Sequence, residues 1–173
     1  MSNPDRTSNV HDARVARMWH QHLPAPHGGV SNSHVFRPVR GQDGPAIAMI
    51  SQRAFLGGPD EASENDFLGK VSAILGGRYG RFMDTASLVH ESSSGALDAA
   101  LLITDYLPYA CPVIALVVVE KAAQQRGVAT ALLLHSLAVL HQAGQSQCCA
   151  RITQGNLASE RLFQGCGFVP VLE

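Results

Sequence analysis

The sequence predicts an α/β fold, a mixed central sheet of about six strands flanked by about four helices. Three observations carry that expectation. The run PVIALVVVE (residues 112–120) is apolar at every position but its last, as a central strand covered on both faces should be. Two strand-like runs that alternate around SSSG (92–95) precede it, and helical and strand-like segments alternate after it. With 173 residues and 46% hydrophobic content, the chain suits one core rather than two.

Residues 1–34 read as a polar N-terminal arm and residues 35–173 as the folded domain. The arm holds five of the eight histidines, and DARVARMWH (12–20) within it is expected to form a short helix with Val15, Met18 and Trp19 on one face. Those histidines lie in segments with little to fix them, so no metal centre is expected. VFRPVR (35–40) alternates like a strand, and Asp43 is placed to cap a helix that has Pro45 in its first turn. In DEASENDFLGKVSAIL (60–75), Phe67, Leu68, Val71, Ile74 and Leu75 fall at helical spacing. ASLVHES and ALDAALLITDY then form an antiparallel hairpin, and the central run follows. Residues 127–142 are helical with apolar residues on most of the circumference, CCARIT is a strand, NLASERLFQ a helix and FVPV a short strand.

Thirteen Lys and Arg against 14 Asp and Glu leave a net charge of −1, with no basic field for nucleic acid. No run of about 18 apolar residues is present, so no membrane span and a cytoplasmic location are expected. The four cysteines contain no CxxC pair and read as reduced thiols.

The stretch QQRGVAT (124–130) joins the central strand to the next helix. A helix N-terminus offers unpaired N–H groups and a partial positive charge, and Gly127 puts no side chain between that backbone and an anion. The pattern suits a pyrophosphate, although a plain tight turn with a helix cap has the same composition. GxGxxG and GxxxxGKS are both absent, which argues against a dinucleotide fold and a P-loop.

VVVEKAAQQRGVATALL resembles the acyl-CoA-binding motif of the GCN5-related N-acetyltransferases (GNAT), and NLASERLFQGCGF resembles that family's later block. The resemblance implies acetyl-CoA as co-substrate, transfer of its acetyl group to a primary amine of a small molecule or peptide, and a GNAT-like domain over residues 35–173. It further implies that Gln124, Gln125, Arg126, Gly127, Val128, Ala129 and Thr130 hold the pyrophosphate. Val117, Val118 and Val119 would run beside the pantetheine arm, with Asn156, Ser159 and Phe163 on its other side. Arg126, Lys121 or Arg161 would meet the ribose phosphate.

Glu120, at the end of the central strand, is the candidate general base, against the alternative of a solvated carboxylate beginning a turn. His90, Glu91 and Asp105 are weaker candidates. Tyr106 and Tyr109 could line the acceptor pocket or simply pack. Phe163 stands where the family often has a Tyr proposed to protonate the departing thiolate, and Phe has no proton to give. Tyr109 and Cys166 are the substitutes. A non-catalytic acyl-CoA-binding module is therefore the alternative reading. The family usually has another strand after the one following GCGF, so either the sheet is one strand short, or the arm or a second subunit of a homodimer covers the gap. The acids Asp60, Glu61, Glu64 and Asp66 would suit a cationic acceptor or, more simply, complement a helix dipole.

Overall fold

A computed structural model of the chain describes residues 15–25 and 34–171. Strand β1 (Ala16–His22) is followed by β2 (Phe36–Pro38), α1 (Gly44–Phe55), α2 (Glu64–Leu75), β3 (Arg81–Phe82), β4 (Leu88–Glu91) and β5 (Leu97–Tyr106). Then come β6 (Cys111–Val119), α3 (Val128–Gln142), β7 (Gln147–Thr153), α4 (Leu157–Gly165) and β8 (Val169–Pro170). The strands form one eight-stranded sheet in the order β2-β4-β5-β6-β7-β1-β8, with β3 paired to β5 off that path. The mixed α/β architecture with four helices is the one the sequence predicts.

Alternation along the central strands sends residues to two cores. Leu101, Ile103, Ile114, Ala150 and Ile152 join Leu132, Leu133 and Leu137 of α3 and Phe163 of α4 on one face. Ala100, Leu102, Leu116 and Val118 join Ile47, Ile50, Val71 and Ile74 of α1 and α2 on the other. Cys148 and Cys149, as neighbours on a strand, fall on opposite sides, and all four cysteines are free and buried. None of the helices of the described residues is long and apolar enough to cross a membrane.

The expected helix near the N-terminus is replaced by a strand. β1 pairs antiparallel with β7 over its whole length and with β8 on its other side, at Trp19 and His20. A helix would have put Val15, Met18 and Trp19 together. In the strand, Trp19 enters the α3–α4 core, Met18 packs on the opposite face near Cys149, and Val15 is exposed. The deciding term is non-local, because without β1 the N–H and C=O groups along that edge of β7 would lack a ladder partner. The polar segment at 16–22 is thus part of the sheet and occupies the place between β7 and β8. Residues 1–14 and 26–33 of the expected arm, with His11 and His27, lie outside the described residues.

Two smaller departures have local causes. β3 is too short to show a period. Asp43 does not cap α1 with its side chain. Its carboxylate instead accepts from Arg40 N at 2.7 Å and from two Arg37 nitrogens at 2.8 and 3.0 Å. Burial acts to raise the Asp43 pKa, and these donors outweigh it and lower the group below its usual range.

Candidate active site between two parting strands

β6 and β7 are parallel neighbours that pair only at Val113↔Cys149 and Ile114↔Ala150. Beyond that point they separate. The cause lies in β6: Ile103 of β5 faces Ile114 and Leu102 faces Leu116, which leaves Ala115 as an extra residue. Such a bulge bends its strand and interrupts the ladder. On the β5 side the ladder resumes, and Glu120 N donates to Asp98 O at 2.7 Å. Antiparallel alternation then directs the backbone of Val118 toward β5 and the N–H and C=O groups of Val117 and Val119 into the gap. Gln124 Nε2 donates to Val119 O at 3.0 Å, which fastens the turn to the strand end.

That turn is a 3-10 turn at Lys121–Ala123, followed by Gln125 at φ 61° and Gly127 at φ 78°. Left-handed backbone at residue 127 suits glycine, and a Cβ there would meet nothing within 4 Å. α3 begins next, with no side chain capping its first-turn N–H groups. They face a cleft of about 590 Å³.

Every residue expected to hold the cofactor lines this cleft except Arg126 and Phe163: Val117, Val118, Val119, Gln124, Gln125, Gly127, Val128, Ala129, Thr130, Asn156 and Ser159. The α1–α2 loop, residues 56–59, forms the opposite rim. No charged side chain is in the lining, so attraction for an anion comes from the helix end alone.

A second cleft of about 250 Å³ opens from the first, sharing Phe55, Val117, Asn156 and Ser159 with it. Asp60, in the α1–α2 loop, reaches across it. The Asp60 carboxylate accepts from Thr153 Oγ1 at 2.7 Å and from Asn156 Nδ2 at 2.6 Å. Asn156 Oδ1 meanwhile accepts from Ser159 N at 3.1 Å and caps α4. Of the other acids of that stretch, Glu61 accepts from Gly57 N, and Asp66, which also lines the second cleft, forms a capping box with Ser63.

A third cleft, of about 440 Å³, continues past Lys70, Ile114, Ala115 and Arg151 to Tyr79, Tyr106 and Tyr109. Tyr106 and Tyr109 meet edge to face with ring centroids 5.1 Å apart.

Glu120 lines none of these three clefts. Its Oε2 lies 2.7 Å from Arg53 Nη2, and its Oε1 accepts from Lys121 N. His90 is bound to Asp98, Glu91 to Arg37 and Asp105 to Arg81, so the weaker candidates are also engaged elsewhere. Tyr109 belongs to the third cleft, apart from the strand end at Val119. Phe163 is 3% exposed; its ring forms wall in the second cleft and meets Phe168 edge to face. Cys166 lines no cleft, and burial pushes its thiol up to about 11.

Sequence reasoning passed over Lys70, Arg151 and Thr153. The available signal was Arg151, a charged residue inside the strand-like CCARIT.

Residues 86–168, from the approach to β4 to the residue before β8, match the acetyltransferase (GNAT) family. The chain carries a GNAT acetyltransferase match over that segment. Among solved structures, the chain is similar to a GCN5-related N-acetyltransferase from Sphaerobacter thermophilus, with a TM-score of 0.66 and 18% identity over 90% of this chain and 48% of that one. It spans about half of that relative's length. The ribosomal-protein-S18-alanine N-acetyltransferase from Escherichia coli gives a TM-score of 0.59 and 20% identity over 78% of this chain and 76% of that chain. A GNAT acetyltransferase from Brucella melitensis in complex with acetyl-CoA gives 0.59 and 19% over 82% and 88%. These likenesses are likenesses of fold. No curated protein sequence matches the chain.

Proposed function

We propose that this protein is an acetyl-CoA-dependent N-acetyltransferase, acting on a primary amine by direct attack with no covalent enzyme intermediate. One observation carries the reading: an uncapped helix N-terminus opens onto a gap between β6 and β7, and the family-like residues wall that gap.

The residues fit the cofactor. Backbone N–H groups of residues 125–130 are available to a pyrophosphate, the missing Cβ of Gly127 leaves it room, and Val117 to Leu162 offer an apolar channel for a pantetheine arm. Acetyl-CoA, when bound, supplies a thioester that donates its acyl group to a free amine and releases a thiol. The Val119 N–H, directed into the gap, is the donor for a carbonyl oxygen there. Asp60 takes the role that Glu120 was expected to have. It lines the second cleft and is bonded to Asn156 at the junction with the first, held by two neutral donors, whereas Glu120 is engaged with Arg53. An amine losing its proton beside the gap can pass it through Asp60 to solvent.

A second reading, a binding module that keeps the cofactor turn without turnover, is favoured by Phe163, whose buried ring offers no proton to a leaving sulfur. Free thiols at all four cysteines suit a reducing, cytoplasmic setting.

Two measurements separate these. Acetyl-CoA should raise the melting temperature in a concentration-dependent way, and a panel of amines should release CoA thiol. Binding without release for any amine would select the module; no binding would remove both readings.

A further inference from the structure

We propose that the acceptor is a free α-amino acid with an apolar or aromatic side chain, gripped at three points along the second and third clefts. The proposal rests on the acetyl-transfer reading above and names its acceptor class.

The clefts have a charge order. The second cleft joins the cofactor cleft through Val117, Asn156 and Ser159, and two carboxylates line it, Asp60, which is bonded to Asn156, and Asp66, which is bonded to Ser63. Lys70 and Arg151 lie where the second cleft meets the third, over a floor of Ile114 and Ala115. The third cleft contains no carboxylate; Tyr79, Tyr106 and Tyr109 line it with Ile74 and Val113. The second cleft thus holds the carboxylates, its junction with the third holds the two cations, and the third is the aromatic pocket.

An α-amino acid presents the complementary order of ammonium, carboxylate and side chain. Arg151 and Thr153 are two residues apart on one face of β7, about 7 Å along the strand, and Thr153 is bonded to Asp60. An ammonium and a carboxylate on one carbon fit between such poles with charge-assisted bonds of about 2.8 Å at each end. The backbone of Arg151 is held in the β1–β7 ladder, but its exposed side chain forms no hydrogen bond or ion pair with the other described residues, so its guanidinium fork is available to a carboxylate. A peptide N-terminus lacks the α-carboxylate that Arg151 would hold. The transfer balances: the ammonium loses one proton through Asp60 to solvent and one to the departing sulfur, as the N–C bond forms and the C–S bond breaks.

The test is calorimetry on the intact protein with CoA present, titrating phenylalanine, leucine, glycine, phenylalanine amide and phenylethylamine. Phenylalanine and leucine should bind at least about tenfold more tightly than the amide, the amine or glycine. Arg151→Gln should weaken phenylalanine binding by about ten- to a hundredfold and narrow its preference over phenylethylamine. The melting temperature of the variant checks its fold, which an exposed side chain should not disturb. Equal affinity for phenylethylamine, undiminished discrimination in the variant, or no binding of any α-amino acid would overturn the proposal. A parallel thiol-release assay keeps the two readings apart. Transfer confined to amines without a carboxylate would sink the amino-acid site and leave the transferase. Arg151-dependent phenylalanine binding without transfer would do the reverse.

Discussion

Gly127 combines two properties that other residues cannot supply together: a φ of 78° and open space where a Cβ would stand, in the lining of the first cleft. They separate by substitution. Gly127→Ala should destabilise the fold by about 1 to 2 kcal/mol through left-handed backbone and keep measurable acetyl-CoA binding. Gly127→Glu should add a carboxylate that no neighbour holds back from the cleft, and binding should fall below detection by calorimetry. If Gly127→Glu binds as well as Gly127→Ala, the turn has no anion to hold. Phe163 raises the opposite question, of a group that is missing. Its ring walls the second cleft, so Phe163→Tyr should put a hydroxyl at the cleft edge and raise the single-turnover rate. An unchanged rate with stability lower by about 1 to 3 kcal/mol would mean that the hydroxyl is buried without a partner. Cys166→Ala should lower stability alone, because that thiol faces the core rather than a cleft.

At the scale of elements, β1 does the work expected of a strand at the other end of a chain. It covers the free edge of β7, is the only ladder partner of β8 among the described residues, and inserts Trp19 into the α3–α4 core. Trp19→Ala should therefore cost about 3 to 5 kcal/mol in denaturant unfolding, whereas a tryptophan on a loose arm would cost almost nothing. The reason β1 was illegible is physical. Arg17, His20 and Gln21 give it no apolar period, and its stability comes from an edge more than a hundred residues away in sequence. The β4–β5 hairpin, β6, α3 and α4 were legible because each declares itself locally, by alternation, by an unbroken apolar run or by helical spacing with a cap. The site divides in the same way. The turn at 124–130 is one contiguous stretch, and its place on the first cleft follows from adjacent residues. The direction of the Glu120 side chain depends on Arg53 of α1, and the distinction between Asp60 and its three acidic neighbours depends on Thr153 and Asn156. Spacing carries neither fact.

For the molecule as a whole, two halves of one sheet meet at only two paired positions between β6 and β7, and the gap beyond them is crossed by the Asp60 contacts to Thr153 and Asn156. The backbone groups exposed by that parting are the ones a ligand would satisfy, so hydrogen exchange should read the gap directly. Without ligand, the amides of Val117 and Val119 should exchange faster than that of Val118, which β5 protects. Acetyl-CoA at about 100 times its Kd should stabilise the fold by about 2.7 kcal/mol. It should also slow exchange locally, by at least about tenfold at Val119 and at residues 127–130, with Val118 little changed. Asp60→Ala removes the crossing contacts, and exchange in residues 56–63 should rise before any global loss of protection. Uniform slowing along β6, with no contrast between Val118 and its neighbours, would mean that the ligand tightens the whole fold from elsewhere and that the gap is not where it binds.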